Sequence, residues 1–164
     1  VLQLETENNL FGTTNFALNE VAIVKKDTSS MIRIDAFIDD EFLNSYWADG
    51  LLISTPTGST GYSLSCGGPI ILPGTENIII APIAPHNLNV RPIIINEKNS
   101  IRLKVEDRDQ LALVSLDSRS RAFDSSLELI IKKADFKINL IEPKDSSFIS
   151  TIRNKLMWGS DKRN

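Results

Sequence analysis

The sequence predicts a mainly β domain: a largely antiparallel, sandwich-like set of strands, with a short helix after a central polar loop and a second helix near the C-terminus. Three observations predict it. Short apolar or alternating runs recur along the chain, bounded by turn residues. One of them, Ile101, Leu103 and Val105 set against Arg102, Lys104 and Glu106, has the two-residue period of a sheet with one wet face. Only two stretches carry a helical signal, and many strands with few helices build a sandwich.

The elements follow in order. Val1 to Phe16 reads as irregular or as the start of the domain, and as the interior of a longer protein. Val21 to Lys25 is a short apolar strand. Met31 to Ile38 alternates as a half-buried strand, Asp39-Asp40-Glu41 is a turn-like tip, and Phe42 to Ala48 returns as the second arm of a hairpin. Leu51 to Ser54 is a buried strand. Ile78 to Ala81, Ile93 to Ile95, Ile101 to Val105, Leu111 to Leu116, Leu127 to Ile131 and Phe136 to Ile141 complete the set. The short helix begins near Gly58 to Thr60 and runs to about Cys66, where Gly67-Gly68-Pro69 stops it. The terminal helix spans about Ser146 to Met157. Asp145 or Ser146 caps it, and Phe148, Ile149, Ile152, Leu156 and Met157 line one face.

A chain of 164 residues is one domain, residues 1–164, and is long enough to bury a core without staples. A net charge of -3 gives no basic footprint for nucleic acid. The single cysteine, Cys66, allows no intrachain disulfide and fits a reducing cytoplasm. The longest apolar run, Ile78 to Pro85, is broken by Pro82 and is too short for a membrane helix. No charged-then-apolar leader opens the sequence.

The stretch from Asp49 to Pro69 carries the chemistry. A carboxylate opens it, an apolar strand follows, and then come Thr55, Thr57, Ser59, Thr60, Ser63 and Ser65 among glycines, with one ring, Tyr62. Such a segment brings backbone N–H groups and hydroxyls close to a polar ligand while the ring stacks on a flat base. A loop entering a helix also offers unpaired N–H groups to an anion. It lacks the Gly-Lys-Ser/Thr ending of a Walker-type phosphate loop and the glycine spacing of a dinucleotide fold. Asn19-Glu20, taken alone, reads as a turn and strand start, yet an amide beside a carboxylate can hydrogen-bond a ribose diol or a base edge. Asp49 reads equally as a turn residue before Gly50 or as a ligand group. His86, the one histidine, has no second histidine or cysteine near it for zinc. Arg91 suits a phosphate or an internal carboxylate. Cys66 reads as a small packed residue. Lys25-Lys26 reads as solvated surface.

Four segments in this order carry a resemblance: Ala17-Leu18-Asn19-Glu20-Val21, Asp49 through Pro69, Pro82 through Pro92, and Arg153-Asn154-Lys155-Leu156-Met157-Trp158-Gly159. From about Phe16 onward the chain resembles the C-terminal part of bacterial NAD kinases. The resemblance implies transfer of the γ-phosphoryl group of ATP, or of polyphosphate, to the 2′-hydroxyl of the adenosine ribose of NAD, giving NADP. It implies an α/β N-terminal domain as partner to this β-rich one, a divalent metal such as magnesium, and a cytoplasmic homodimer or homotetramer with no nucleic-acid or membrane partner. Asn19 and Glu20 match the family's pair that holds the dinucleotide. Asp49 matches an aspartate that can reach a ligand bound largely by a neighbouring subunit. Thr60, Gly61, Tyr62, Ser63, Leu64 and Ser65 match the segment around the base and its ribose, with Tyr62 stacking and Thr60 and Ser65 hydrogen-bonding. Ala84 matches a backbone contact, and His86 sits in the family's Pro-His segment.

Departures are equally visible. The family's N-terminal Gly-Gly-Asp-Gly motif, which supplies an aspartate for the 2′-hydroxyl proton, is absent. The expectation is therefore an NAD/NADP-binding domain with no catalytic or metal-ligating residue of its own. Gly61 stands where alanine is common and Trp47 where a basic or polar residue is common. Asp117-Ser118-Arg119 stands in place of Asp-Gly-Gln, so Arg119 is not assigned to a ligand. Two rival readings are a non-catalytic dinucleotide-binding or assembly module and the domain of a related lipid kinase.

Overall fold

The computed structural model describes residues 1–26, 30–107, 111–141 and 147–157. Its strands are β1 (Leu2–Glu5), β2 (Phe16–Ala17), β3 (Glu20–Lys25), β4 (Ile32–Ile38), β5 (Glu41–Ala48), β6 (Gly50–Ser54), β7 (Asn77–Ile83), β8 (Ile93–Asn96), β9 (Ile101–Glu106), β10 (Leu111–Leu116), β11 (Arg119–Asp124) and β12 (Leu129–Lys133). The helices are α1 (Tyr62–Ser65) and α2 (Phe148–Leu156). The strands make two six-stranded sheets, one ordered β2-β1-β12-β9-β4-β5 and the other β11-β10-β3-β6-β7-β8. Every strand pairing described is antiparallel. The mainly β sandwich with two helices is the predicted class.

Alternation builds the core between the sheets. Ile32, Ile34 and Ala36 of β4 are fully buried, while Arg33 turns outward to pair with Asp35 and Glu106. Val21 and Ile23, Leu51 and Ile53, and Ile78 and Ile80 face the same core from the second sheet. The intervening residues Ala22, Leu52, Ile79, Ala81 and Ile83 are buried as well, in a second cluster on the outer face. Leu51-Leu52-Ile53 is thus a continuous apolar run because β6 is covered on both sides. The outer cover is the segment after β6, which contributes Ile71 and Cys66.

The hairpin of β4 and β5 turns at Asp39 and Asp40, both at positive φ (47° and 68°), the left-handed pair that a tight two-residue turn needs. The short helix is split: Thr57–Thr60 forms a 3-10 turn, Gly61 breaks it, and α1 adds a single turn. In α2 the N-cap is Ser147, whose hydroxyl accepts from the Ser150 N–H at 3.5 Å. The proposed caps Asp145 and Ser146, and the residues Trp158 and Gly159, lie outside the described residues.

Two sequence expectations need correction, and β1 and β11 are strands beyond those expected. Phe136 to Ile141 is not a strand. Both edges of β12 are already taken, by β1 and β9, so the chain leaving β12 finds no strand to pair with. Instead the Phe136 ring packs edge-on to Phe16, with centroids 5.2 Å apart. The strand expected from Leu127 starts at Leu129, because Asp124 holds a turn through the N–H groups of Ser126 and Leu127. Residues before Phe16 include a true strand, β1, with Leu2 and Leu4 buried. Arg119–Asp124 forms β11 although only Phe123 is buried, because pairing with β10 holds it rather than a hydrophobic pattern.

Candidate functional site

Leu18 and Asn19 link β2 to β3, and their backbone is clamped from two sides. On one side stands Asp117, at the left-handed turn between β10 and β11 (φ 52°). Its carboxylate accepts the N–H of Leu18 at 2.9 Å, of Asn19 at 2.8 Å and of Glu20 at 3.2 Å. A carboxylate taking several backbone N–H groups makes charge-assisted hydrogen bonds, stronger than neutral ones. On the other side, the Thr55 N–H donates to the Asn19 carbonyl at 2.9 Å, and the Thr55 hydroxyl to the Leu18 carbonyl at 2.7 Å. Thr55 also accepts the Gly58 N–H at 3.1 Å, which begins the turn toward Thr60. Gly58 is where no side chain fits: a Cβ there would lie 2.2 Å from the Asn19 carbonyl oxygen.

This frame leaves two side chains unengaged. Among the described residues no hydrogen bond holds the Asn19 amide or the Glu20 carboxyl. Glu20 shares the outer face with Ala22 and Val24 by strand alternation. Gly61 packs beside it, its Cβ position 3.6 Å from a Glu20 carboxyl oxygen. Burial, and then the Asp117 charge, push the Glu20 pKa above its ordinary value of 4.5. A carboxyl raised in the folded state favours folding below its unfolded pKa, and that advantage is lost as pH rises through the folded value. Glu20→Gln is therefore expected to be more stable than the parent at pH 7, with the difference closing near pH 3.5. Urea melts at the two pH values check this.

After Thr55 the chain folds back over the outer face of the second sheet. Tyr62 is 44% exposed, so its ring has a free face. Its phenol is raised above 10.0, first by burial and then by the neighbouring charges of Cys66 and Asp49. Thr60 is half-buried, and Gly61 and Ser65 are exposed. Ser63 is different: its hydroxyl is buried with no hydrogen-bond partner and faces Gly68, where a Cβ would lie 2.3 Å away. Leu64 is half-buried, and Cys66 packs on the outer cluster, its thiol pKa raised by burial.

Asp49 stands at the other end of β6. The register pairs Glu20 with Ser54 and Val24 with Gly50, so Glu20 and Asp49 are separated by roughly 17 Å of strand. Asp49 forms an ion pair with Lys25, 2.6 Å away; Lys25 is thus not the free surface charge that the sequence suggested. Ala84 is brought to the same end. The Asp49 N–H donates to the Ile83 carbonyl and the His86 N–H to the Trp47 carbonyl, and Ala84 and Pro85 bulge between these two bonds. Ala84 is held at φ 45°, a strained conformation for a residue with a Cβ, of the kind that clusters at ligand sites.

The predicted residues thus fall into two groups, Asn19, Glu20, Thr60 and Gly61 at one end of β6 and Asp49 and Ala84 at the other, with Tyr62 reaching toward the second group. The Arg91 guanidinium donates to the carbonyls of Leu88 and Val90. Arg119 binds the carbonyls of Thr14 and Phe16 and serves the fold. Sequence reading named Thr55 only as one hydroxyl of the polar stretch and missed Asp117 and Gly58 as site builders. The available signal was an aspartate opening a turn between two strands, a position that tolerates left-handed φ. Among the described residues no three His, Cys, Asp or Glu side chains converge as a metal-holding group, so no role for the expected divalent metal is assigned to this chain. No helix among the described residues is long and apolar enough to cross a membrane.

A model of the family described as ATP-NAD kinase C-terminal domain matches residues 18–142. The chain belongs to that family. An NAD kinase of Cytophaga hutchinsonii is 57% identical over 164 residues, 100% of this chain and 56% of the relative. An NAD kinase of Flavobacterium johnsoniae is 53% identical over 163 residues, 99% of this chain and 55% of the relative. The chain spans about half the length of the curated relatives it matches. Among solved structures, yeast NADH kinase complexed with NADH superposes with a TM-score of 0.83 at 26% identity, covering 98% of this chain and 49% of that one. An NAD kinase from Archaeoglobus fulgidus in complex with ATP gives 0.71 at 29% identity, covering 82% and 51%. The likeness to the yeast NADH kinase structure therefore extends over almost the whole chain.

Proposed function

We propose that residues 1–164 are the dinucleotide-holding domain of an NAD kinase, which phosphorylates the adenosine ribose 2′-hydroxyl of NAD with ATP. The observation that carries this reading is the clamped Leu18–Glu20 corner, which presents an unengaged amide and carboxyl beside a hydroxyl-rich loop. In it, Asn19 and Glu20 hold ribose hydroxyls, the Tyr62 ring stacks on the base, and Thr60 and Ser65 add hydrogen bonds around it, with Gly61, Ser63 and Leu64 giving the backbone its shape. Asp49 and the strained Ala84 backbone meet a more distant part of a dinucleotide, or one held mainly by a second subunit. These residues bind and orient; fixed geometry is much of what phosphoryl transfer needs. A divalent metal would neutralise phosphate charge in the intact enzyme, and the general base, the ATP site and that metal belong to the rest of the protein. The family resemblance supports a cytoplasmic homodimer or homotetramer.

A chimera tests the reading. This chain replaces the matching segment of the Cytophaga hutchinsonii relative, and phosphorylation of NAD is assayed. Base stacking on an aromatic ring contributes about 1–3 kcal/mol, so Tyr62→Ala is expected to raise KM for NAD roughly 5- to 150-fold and leave KM for ATP unchanged. Asp49→Asn is expected to act in the same direction. An active chimera whose KM for NAD ignores both substitutions overturns the site assignment.

A further inference from the structure

The segment from Gly67 to Gly74 is a strap across the outer face of the second sheet. Glycines at positive φ mark both its ends, Gly67 at 77° and Gly74 at 85°. Between them Ile71 points inward, 6% exposed, and joins the outer apolar cluster with Leu52, Ile79 and Ala81. Ile70 and Leu72, on either side, face a cleft of about 320 Å³ shared with Ile149, Ile152 and Arg153 of α2. The strap therefore has one apolar anchor on the sheet, and its only hydrogen bonds to the 57–60 turn among the described residues come from one side chain, that of Ser59.

Ser59 is fully buried. Its hydroxyl donates to the Pro56 carbonyl at 2.7 Å and accepts the Ile71 N–H at 3.0 Å. The Ile71 carbonyl lies 3.3 Å from the same oxygen. One hydroxyl thus bridges the start of the ligand loop and the middle of the strap. Its neighbour Thr60 begins the Thr60–Ser65 segment, so the position of that segment over the sheet is set where Ser59 meets Ile71.

We infer that Ser59 is a positioning residue for the dinucleotide loop: by tying the strap to the 57–60 turn it fixes where Thr60, Gly61 and Tyr62 stand, without touching the dinucleotide itself. The inference rests on the dinucleotide reading for its functional half. Losing the hydroxyl leaves the buried Ile71 N–H without its partner, a cost that is met by loosening the strap and loop rather than the sandwich.

The test compares Ser59→Ala, Ile71→Ala and their double variant with Ile34→Val, a core change in β4 of the other sheet. Hydrogen exchange is followed in the free chain, and NAD affinity by calorimetry. Ser59→Ala is expected to speed exchange of the amides from Thr60 to Cys66 about tenfold, with β4 and β9 unchanged, and to weaken NAD binding about tenfold. Ile71→Ala keeps the backbone N–H that Ser59 accepts and removes only the apolar anchor, so the double variant, which loses both holds on the strap, is expected to be weaker than either single parent. Ile34→Val is expected to leave both readings at the parental value. Ser59→Ala with parental exchange and affinity overturns the inference, as does an equal loss in Ile34→Val, which would make the effect one of global stability. A parent chain that binds no NAD, yet shows the localised exchange response, would leave the tie standing and contradict a dinucleotide site complete within this chain.

Discussion

Gly58→Ala is expected to cost about 3 kcal/mol of stability, near the upper end for overpacking, and to abolish measurable NAD binding. The reason is space, not backbone conformation. A Cβ at Gly58 would lie 2.2 Å from the Asn19 carbonyl oxygen, 2.6 Å from the Ser54 hydroxyl and 2.7 Å from the Asn19 carbonyl carbon. Two of these three atoms are backbone, and that backbone is pinned on its far side by Asp117, so it has nowhere to retreat. Relief requires moving either the Asn19–Glu20 corner or the 57–60 turn, and both belong to the site. A thermal melt should fall by roughly 6–12 °C, at about 2–4 °C per kcal/mol for a chain of this size. Gly74→Ala is the control. Its Cβ would meet nothing within 4 Å, and only its positive φ of 85° is unfavourable. It should cost about 1 kcal/mol and leave NAD affinity unchanged.

Asp117→Ala is expected to be comparably damaging. It removes the acceptor of three backbone N–H groups and places alanine at φ 52°. Hydrogen bonds to a charged group contribute about 1.5–3 kcal/mol each and are not additive when they share an acceptor, so a loss of about 3 kcal/mol is expected. Asp117→Asn keeps one oxygen and a residue that tolerates the left-handed region, and should lose about half as much. The two variants share a further signature. Since the Asp117 charge raises the Glu20 pKa, removing it should lower that pKa toward the ordinary carboxyl value, as an NMR titration of Glu20 would read. A variant that melts early but leaves the Glu20 titration in place would show that Asp117 acts on the fold without setting the electrostatics of the corner.

The sandwich was legible because alternation is a local signal: Ile32, Ile34 and Ala36 announce a buried face whatever they pair with. The Asp49–Pro69 segment stood out for its density of small hydroxyl residues after an apolar strand, although Thr55 and Ser59 prove to be buried and to brace the fold. What the sequence hid was long-range. Asp117 is 97 residues or more from the N–H groups it accepts, and no pattern near it names Leu18 to Glu20 as its partners. Phe136 to Ile141 alternates like a strand and fails to be one because no strand edge is free beside β12. Arg119–Asp124 does not alternate and is a strand because β10 offers its edge. The division of the site residues between two ends of β6 likewise follows from register, which a one-dimensional reading does not contain.

The most direct measurement is a calorimetric titration of this chain with NAD and, separately, with ATP, with Tyr62→Ala alongside. The account predicts saturable binding of NAD that Tyr62→Ala weakens, and a far weaker response to ATP. Binding of ATP in place of NAD, or NAD binding of equal strength in parent and Tyr62→Ala, would contradict it.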